Sequence, residues 1–545
     1  MTQEVVRRSP LERALDAIER VGNKVPHPVV IFLGLIVLLV VMSHVFYATG
    51  TSVTFEQAYV TEQVDPSAEQ LVGENEVEAP AGEAQVEEVT VEARSLLTAE
   101  GIRFIFTSPV DNFNSFGVVG VIMVAMLGVG LAEEAGLISA FIKRLVKVTP
   151  KRFVTFIIVL LGVISSIATD AGYLVLIPLS AAVFRSLGRH PLAGLAAAFA
   201  GVGGGFGVNV LITPVDGMLA EITNESIADP AQHVSITGNL FFGIVSTIVI
   251  AVVVTALTEL VVEPRLGRYD ESEAPEDDDA AGAAAPADGD LTAVEQRGLR
   301  FAGFGLLGVT ALVLLLALPS WGPLRNPETG SLVESSPLMG SIIFLILLYF
   351  FVMGLCYGIG AGTIRGSMDV INPMTKTVAG LAGLFFLLLV ISQFIAYFTY
   401  SQLGTIAAVN MADALEEANL PTVWLIVGLV AMTAVIDIFI GGVVPKWAIF
   451  APIFVPLFVQ LGISPDLAVA AYRVGDSPIN VVTPLMPYFA LIVIFAERYR
   501  RKVGVGSIIS LMLPYSVILL LAWTVLLVAW YLLGIPLGPG GSIYL

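Results

Sequence analysis

The run YRVGDSPINVVTPLMPYF at 472–489 places Arg473, Asp476 and Asn480 in an otherwise apolar setting, and Lys446 and Trp447 stand upstream in KWAIFAPIFVPLF. Charges in such surroundings need a reason, because exposing one to lipid costs several kcal/mol. A cation three residues before a carboxylate puts both on one face of a helix, within pairing reach. Two readings follow. The pair is a buried structural tie between segments, or the arginine meets an anionic substrate while Asp476 takes a proton or helps hold Na+. The neighbouring prolines favour the second, since a structural pair does not require a broken helix beside it. GGFGVNVLITPVDGML at 204–219 sets Asn209 and Asp216 in a related place. Asp216 is read as a carrier of the coupling ion, against a turn or structural role. Asn209 and Asn480 offer amide contacts to substrate or ion, or hydrogen bonds between helices. A Na+ near Asp216, Asn209, Asp476 and Asn480, or a proton on the aspartates, is the coupling ion this pattern can carry. Asp170, in TDAGY, either caps a hairpin tip or lines the site. Trp447 gives a flat face for an aromatic substrate or anchors at an interface, and Lys446 can snorkel to that interface. Glu133 and Glu134 are adjacent and point apart, so at least one can simply end a helix in water; Ser165 and Ser166 can donate to a carboxylate.

The elements that must position these residues are membrane helices. Of 545 residues 56% are apolar and 13% charged, against roughly 25% charged in a soluble domain. About ten apolar runs approach the length needed to cross a hydrocarbon core of ~30 Å. The net charge of −19 is concentrated: residues 51–100 carry −11 and residues 270–295 carry −10, leaving +2 for the rest. The acidity therefore says nothing about a substrate. No basic patch supports nucleic-acid binding, a single Cys356 excludes an internal disulfide, and four scattered histidines make no zinc motif. No cleavable signal peptide is evident before the first apolar run.

In chain order, 1–50 reads as a basic amphipathic segment and first span, and 51–112 as an acidic, low-complexity insertion outside, mobile in part. Residues 113–262 form a first region with a hairpin and a broken helix, and 263–300 an acidic cytoplasmic loop. Residues 301–420 are linking and scaffold spans, 421–503 a second region with a hairpin and a broken helix, and 504–545 the last span and a short tail. Basic clusters after Ile142, around the second acidic loop and after Phe495 set the cytoplasmic side.

The two regions are related. At a constant offset of 274, Tyr173 falls on Trp447, Pro178 on Pro452, Leu187-Gly188 on Leu461-Gly462, Pro191 on Pro465 and Gly201 on Gly475. After a four-residue contraction Thr213-Pro214 meets Thr483-Pro484. Two Gly/Pro-interrupted segments in corresponding places point to a transporter site near the bilayer midplane. Helix ends left there have unpaired N–H and C=O groups, which attract anions and cations respectively.

ERVGNKVPHP at 19–28, TDAGYLVLIPL at 169–179, GGFGVNVLITPVDGML, KWAIFAPIFVPLF and YRVGDSPINVVTPLMPYF resemble the AbgT family of bacterial p-aminobenzoyl-glutamate transporters. The resemblance covers nearly the whole chain outside the two acidic loops. It implies an all-α inner-membrane homodimer, with nine transmembrane helices and two re-entrant hairpins per subunit and a bowl open to the cytoplasm. It implies ion-coupled transport of p-aminobenzoyl-glutamate, or efflux of sulfonamide-type antimetabolites, and no enzyme activity. The family's functional positions fall on Asp216, Trp447, Pro465, Arg473, Asp476 and Pro484. One position departs: Val444 stands where many members carry a small hydroxyl residue. The rival readings are a dicarboxylate importer of the same architecture and a channel; no HExxH or GxSxG motif supports an enzyme.

Overall fold

The computed structural model describes residues 28–60, 84–167, 172–227, 229, 232–270, 291–332, 336–418, 421–484, 486, 488–501 and 503–545. The amphipathic segment expected before Pro28 and Asp170 lie outside these residues. Helices make the membrane body, and among the described residues eight are long and apolar enough to cross a bilayer. In order they are α1 (Pro28–Ala48), the stretch Pro109–Glu134 that ends in α4 (Val118–Glu134), Leu240–Leu266 containing α10 (Leu240–Leu257), α12 (Ala293–Ala317), α14 (Ile342–Ala361), α16 (Ala382–Ser401), α19 (Val443–Gln460) and α22 (Val505–Leu532). These runs are predominantly apolar, so with no water to compete their backbones close on themselves.

Shorter helices lie between them. α6 (Val154–Ile164) and α7 (Ile177–Ser186) flank the polar break at 165–171, and α18 (Thr422–Asp437) precedes the turn at 438–442 before α19. α8 (Pro191–Val202) and α20 (Pro465–Asp476) have 12 residues each, about 18 Å of rise, too short to cross. Both begin on a proline whose missing N–H costs a helix nothing in its first turn. Their N-caps are His190, accepting from the Leu192 N–H at 3.2 Å, and Ser464, accepting from the Asp466 N–H at 3.3 Å. The preceding turns hold Gly188 at φ 71° and Gly462 at φ 67°, a left-handed conformation suited to glycine. The starts and ends of α8 and α20, the ends of α7 and α19, and these two glycines share the offset of 274 found in the sequence.

The two halves then diverge. After α8 the chain loops through 203–213 and restarts as α9 at Pro214, running to Asn224. After α20 it passes a short 3-10 turn at Ser477–Ile479, and the next helix, α21, begins at Phe489 rather than at Pro484, ending at Glu497. The cap decides this. Thr213 and Asp216 form a reciprocal capping box at the start of α9, and the second TP step has apolar Met486 three residues on, which cannot reach back in that way.

The glycine run at 201–207 finds its use in packing. A Cβ on Gly201 would sit 2.6 Å from the Val159 carbonyl oxygen, and one on Gly162 would sit 2.9 Å from the carbonyl carbon of Gly201. α6 and α8 therefore cross at backbone contact, as small residues permit in membranes. A second, smaller core of Leu131, Leu137, Ala302, Tyr357 and Ile364 joins α4, α5 (Leu137–Val148), α12 and α14.

The acidic insertion carries one feature that the composition did not announce. Its flanks form an antiparallel pair, β1 (Ser52–Val60) and β2 (Ala84–Glu92), with Val53 opposite Val91 and Phe55 opposite Val89. Charge dominated the composition there and hid the period-two alternation of these apolar residues.

Candidate functional site

α9, α18, α19 and α20 meet where their ends are broken, and the buried charges collect there. α20 is buried along its whole length. Its Arg473 does not pair with Asp476. The guanidinium Nη1 instead donates to Asp216 Oδ1 at 2.5 Å and to the Gly207 carbonyl at 2.9 Å. The other oxygen of Asp216 accepts from the Thr213 backbone N–H at 2.6 Å and its hydroxyl at 2.8 Å. One carboxylate thus caps α9 and holds an arginine from the other half of the chain. Ser477 accepts the Gly207 N–H at 2.8 Å, so the broken segment after α8 is stitched to the end of α20.

Asp476 meets Lys446 instead, with Nζ 2.6 Å from Oδ1. The same ammonium contacts Asp437 at the end of α18. Lys446 and Asp437 are fully buried, which corrects the expectation that Lys446 reaches an interface. The Tyr472 hydroxyl lies 3.1 Å from Asp476 Oδ1 and 2.5 Å from the Val443 carbonyl, one proton serving both.

Trp447 is fully enclosed. Its Nε1 donates to Thr223 on α9 at 3.0 Å, and its ring packs on Tyr472 with centroids 4.8 Å apart. Its face is therefore covered by protein and joins α19 to α9 and α20. Asn209 is buried too: Nδ2 donates to the Ile164 carbonyl and to Ser166 Oγ, each at 3.0 Å, and Oδ1 accepts from Leu211 N at 3.1 Å. It closes the frayed end of α6, the interhelical role open to it from sequence. Pro465 opens α20, and Pro484 stands in the non-helical passage before α21.

A cavity of about 600 Å³ opens beside this cluster, bounded by residues of α1, α4, α16, the turn at 439–442 and the first turn of α19. Asp476, Asn480, Thr483, Val444, Tyr173 and Tyr488 line it. Tyr173 and Tyr488 stack at 4.5 Å between centroids with planes 12° apart. The aromatic wall is theirs rather than Trp447's. The repeat carried a signal for this, since Tyr173 is the partner of Trp447 at offset 274. For Asp437 the sequence carried only the oddity of a carboxylate closing an apolar helix. Arg473, Asn209 and Trp447 lie behind the wall. Glu134 pairs with Lys376 at 2.6 Å, away from the cavity.

The four residues expected around a Na+ are not brought into one cage. Asp216 faces Arg473, Asp476 faces Lys446, Asn209 is spent on α6, and Asn480 faces the cavity. Among the described residues no three His, Cys, Asp or Glu side chains converge as a metal site.

The model of the AbgT putative transporter family matches residues 13–545. The p-aminobenzoyl-glutamate transport protein of Escherichia coli K12 is 34% identical over 525 residues, covering 96% of this chain and 95% of that protein. The Alcanivorax borkumensis YdaH transporter is 40% identical, with a TM-score of 0.81 over 94% of this chain and all of that one. MtrF of Neisseria gonorrhoeae, described as illuminating a class of antimetabolite efflux pumps, is 38% identical, with a TM-score of 0.83 over 97% of this chain and all of that one. The chain belongs to the AbgT putative transporter family and is a multi-pass protein of the bacterial inner membrane.

Proposed function

We propose that this family member moves p-aminobenzoyl-glutamate, or related aromatic antimetabolites including sulfonamides, by alternating access coupled to Na+ or H+. The observation that carries this is the Arg473–Asp216 pair between two broken segments beside the cavity. An arginine held by one oxygen of one carboxylate can exchange it for a substrate carboxylate, which offers the same kind of charged acceptor. The stacked tyrosines and apolar wall suit an aromatic ring, and a cavity of this size suits a small molecule. Exchange at Arg473 frees Asp216, so substrate binding and the charge state of the site become linked. The Escherichia coli relative is a p-aminobenzoyl-glutamate transport protein, and MtrF illuminates a class of antimetabolite efflux pumps, which favours these two substrate classes.

In this reading the pairs α6–α7 and α18–α19 are the arms of two re-entrant hairpins beside nine crossings, and α8 and α20 are equivalent parts of an internal repeat. The common offset of their ends and of Gly188 and Gly462 supports that. The moving unit comprises the two repeat regions, working in a homodimer whose scaffold includes α12 and α14.

Purified protein in liposomes, with imposed Na+ or pH gradients, tests the proposal. Accumulation of labelled p-aminobenzoyl-glutamate that saturates with substrate is the expected result. Robust transport of succinate or citrate without it selects a dicarboxylate importer, and conductance without saturation selects a channel.

A further inference from the structure

Asp437, Lys446 and Asp476 come from three helices, α18, α19 and α20, and converge on one ammonium group. Lys446 Nζ contacts Asp437 and lies 2.6 Å from Asp476. Each group is almost wholly removed from solvent, at 0%, 0% and 2% exposure for Asp437, Lys446 and Asp476. The ammonium stands between two carboxylates, the place an inorganic cation would take, and the two cannot share those oxygens. With both carboxylates ionised the triad carries one negative charge more than positive, which is costly when buried. Arg473 is matched by Asp216, so it supplies no balancing charge. Of the three groups, Asp476 is the one that lines the cavity.

We propose that Asp437, Lys446 and Asp476 form a proton site, in which the tethered ammonium stands in place of an inorganic cation and one proton enters and leaves through Asp476. This rests on the coupled-transport reading above and narrows its coupling ion to H+. A proton from cavity water forms an O–H bond to a carboxylate oxygen and makes the triad neutral. Its return to water on the other side breaks that bond and restores the negative charge, while the ammonium stays throughout.

The surroundings offer few competing groups. On α9, Asp216 is held by Arg473 and Thr213, and Glu221 lines a different cavity. α16 and α22 carry no acidic or basic side chain, only Tyr397, Tyr400, Tyr515 and Tyr531 among titratable ones. On α17 (Leu403–Glu417), Asp413 and Glu417 are exposed. On α20 itself, Tyr472 touches Asp476 and Asp466 sits at the opposite end.

Thermal unfolding of the full-length protein in detergent tests this without any substrate, comparing NaCl with choline chloride at about 100 mM. Wild type and Lys446→Arg are expected to respond alike to the two salts. Lys446→Gln leaves two facing carboxylates and is expected to gain a Na+-specific rise of about 3 °C. A Na+-specific rise in wild type, or none in a folded Lys446→Gln protein, overturns the proposal. Asp437→Asn covers the case in which Lys446→Gln fails to fold. It removes the excess charge, so substrate-driven proton movement into liposomes should fall at least tenfold while substrate counterflow persists. Proton movement at the wild-type rate in Asp437→Asn overturns the proposal. Because the melting comparison uses no substrate, failure to transport p-aminobenzoyl-glutamate would count against the functional reading alone.

Discussion

Arg473 Nη1 rests 2.5 Å from Asp216 Oδ1, joining residues 257 positions apart in the chain. The contact is nearly buried, with side-chain exposures of 6% and 15%, so each partner compensates the desolvation of the other. Removing one partner of such a pair exposes the cost of burying the other.

Arg473→Ala is therefore expected to destabilise the protein by about 3 kcal/mol and to reduce transport at least tenfold. The exchanged pair Arg473→Asp with Asp216→Arg separates the two effects. It should regain part of the stability in thermal unfolding but not transport, because the cation moves to the wrong helix and α9 loses its cap. Recovery of transport in the exchanged protein would show that the pair serves structure alone.

Trp447 and Tyr488 should behave differently. Thr223→Val removes the acceptor of the Trp447 indole N–H and should cost about 1–3 kcal/mol, the penalty of a buried unsatisfied donor, with KM for substrate unchanged. Tyr488→Ala opens one face of the tyrosine stack at the cavity and should raise KM for an aromatic substrate several-fold with little change in melting. The opposite pattern would return the aromatic contact to Trp447.

Val444 is buried in the cavity wall. Val444→Ser puts a hydroxyl there at the loss of two methyl groups, a cost of about 1–2 kcal/mol. A change in the ranking of substrates in competition assays, with folding retained, is expected. An unchanged ranking would remove this position from substrate choice.

Gly201→Ala would thrust a Cβ to 2.6 Å from the Val159 backbone oxygen. Neither helix backbone can yield locally, so a loss of about 1–3 kcal/mol is expected from overpacking, read as a lower melting temperature. An unchanged melting temperature would mean that α6 and α8 slide apart freely.

Much of this architecture was readable from the chain. α1, α10 and α22 fall within a few residues of the apolar runs that announce them, since in a membrane hydropathy and length dictate a span. The prolines and glycines marked α8, α20 and their turns because those residues act on the backbone itself. The β1–β2 pair and the late start of α21 were not readable. A strand depends on the partner across from it, and the second TP step lacks the carboxylate that caps the first.

The charges divide along the same line. That Arg473, Asp476, Lys446 and Asp216 are costly to bury, and must find partners, follows from residue type and hydropathy alone. Spacing allowed Arg473 and Asp476 to pair along α20, but local geometry only permits a contact. The packing of α9 and α19 against α20 brings Asp216 to Arg473 and Lys446 to Asp476, and a buried ion pair goes to the partner whose geometry best repays desolvation. Which cation meets which carboxylate is thus a property of how helices from distant parts of the chain cross, and tertiary structure alone decides it.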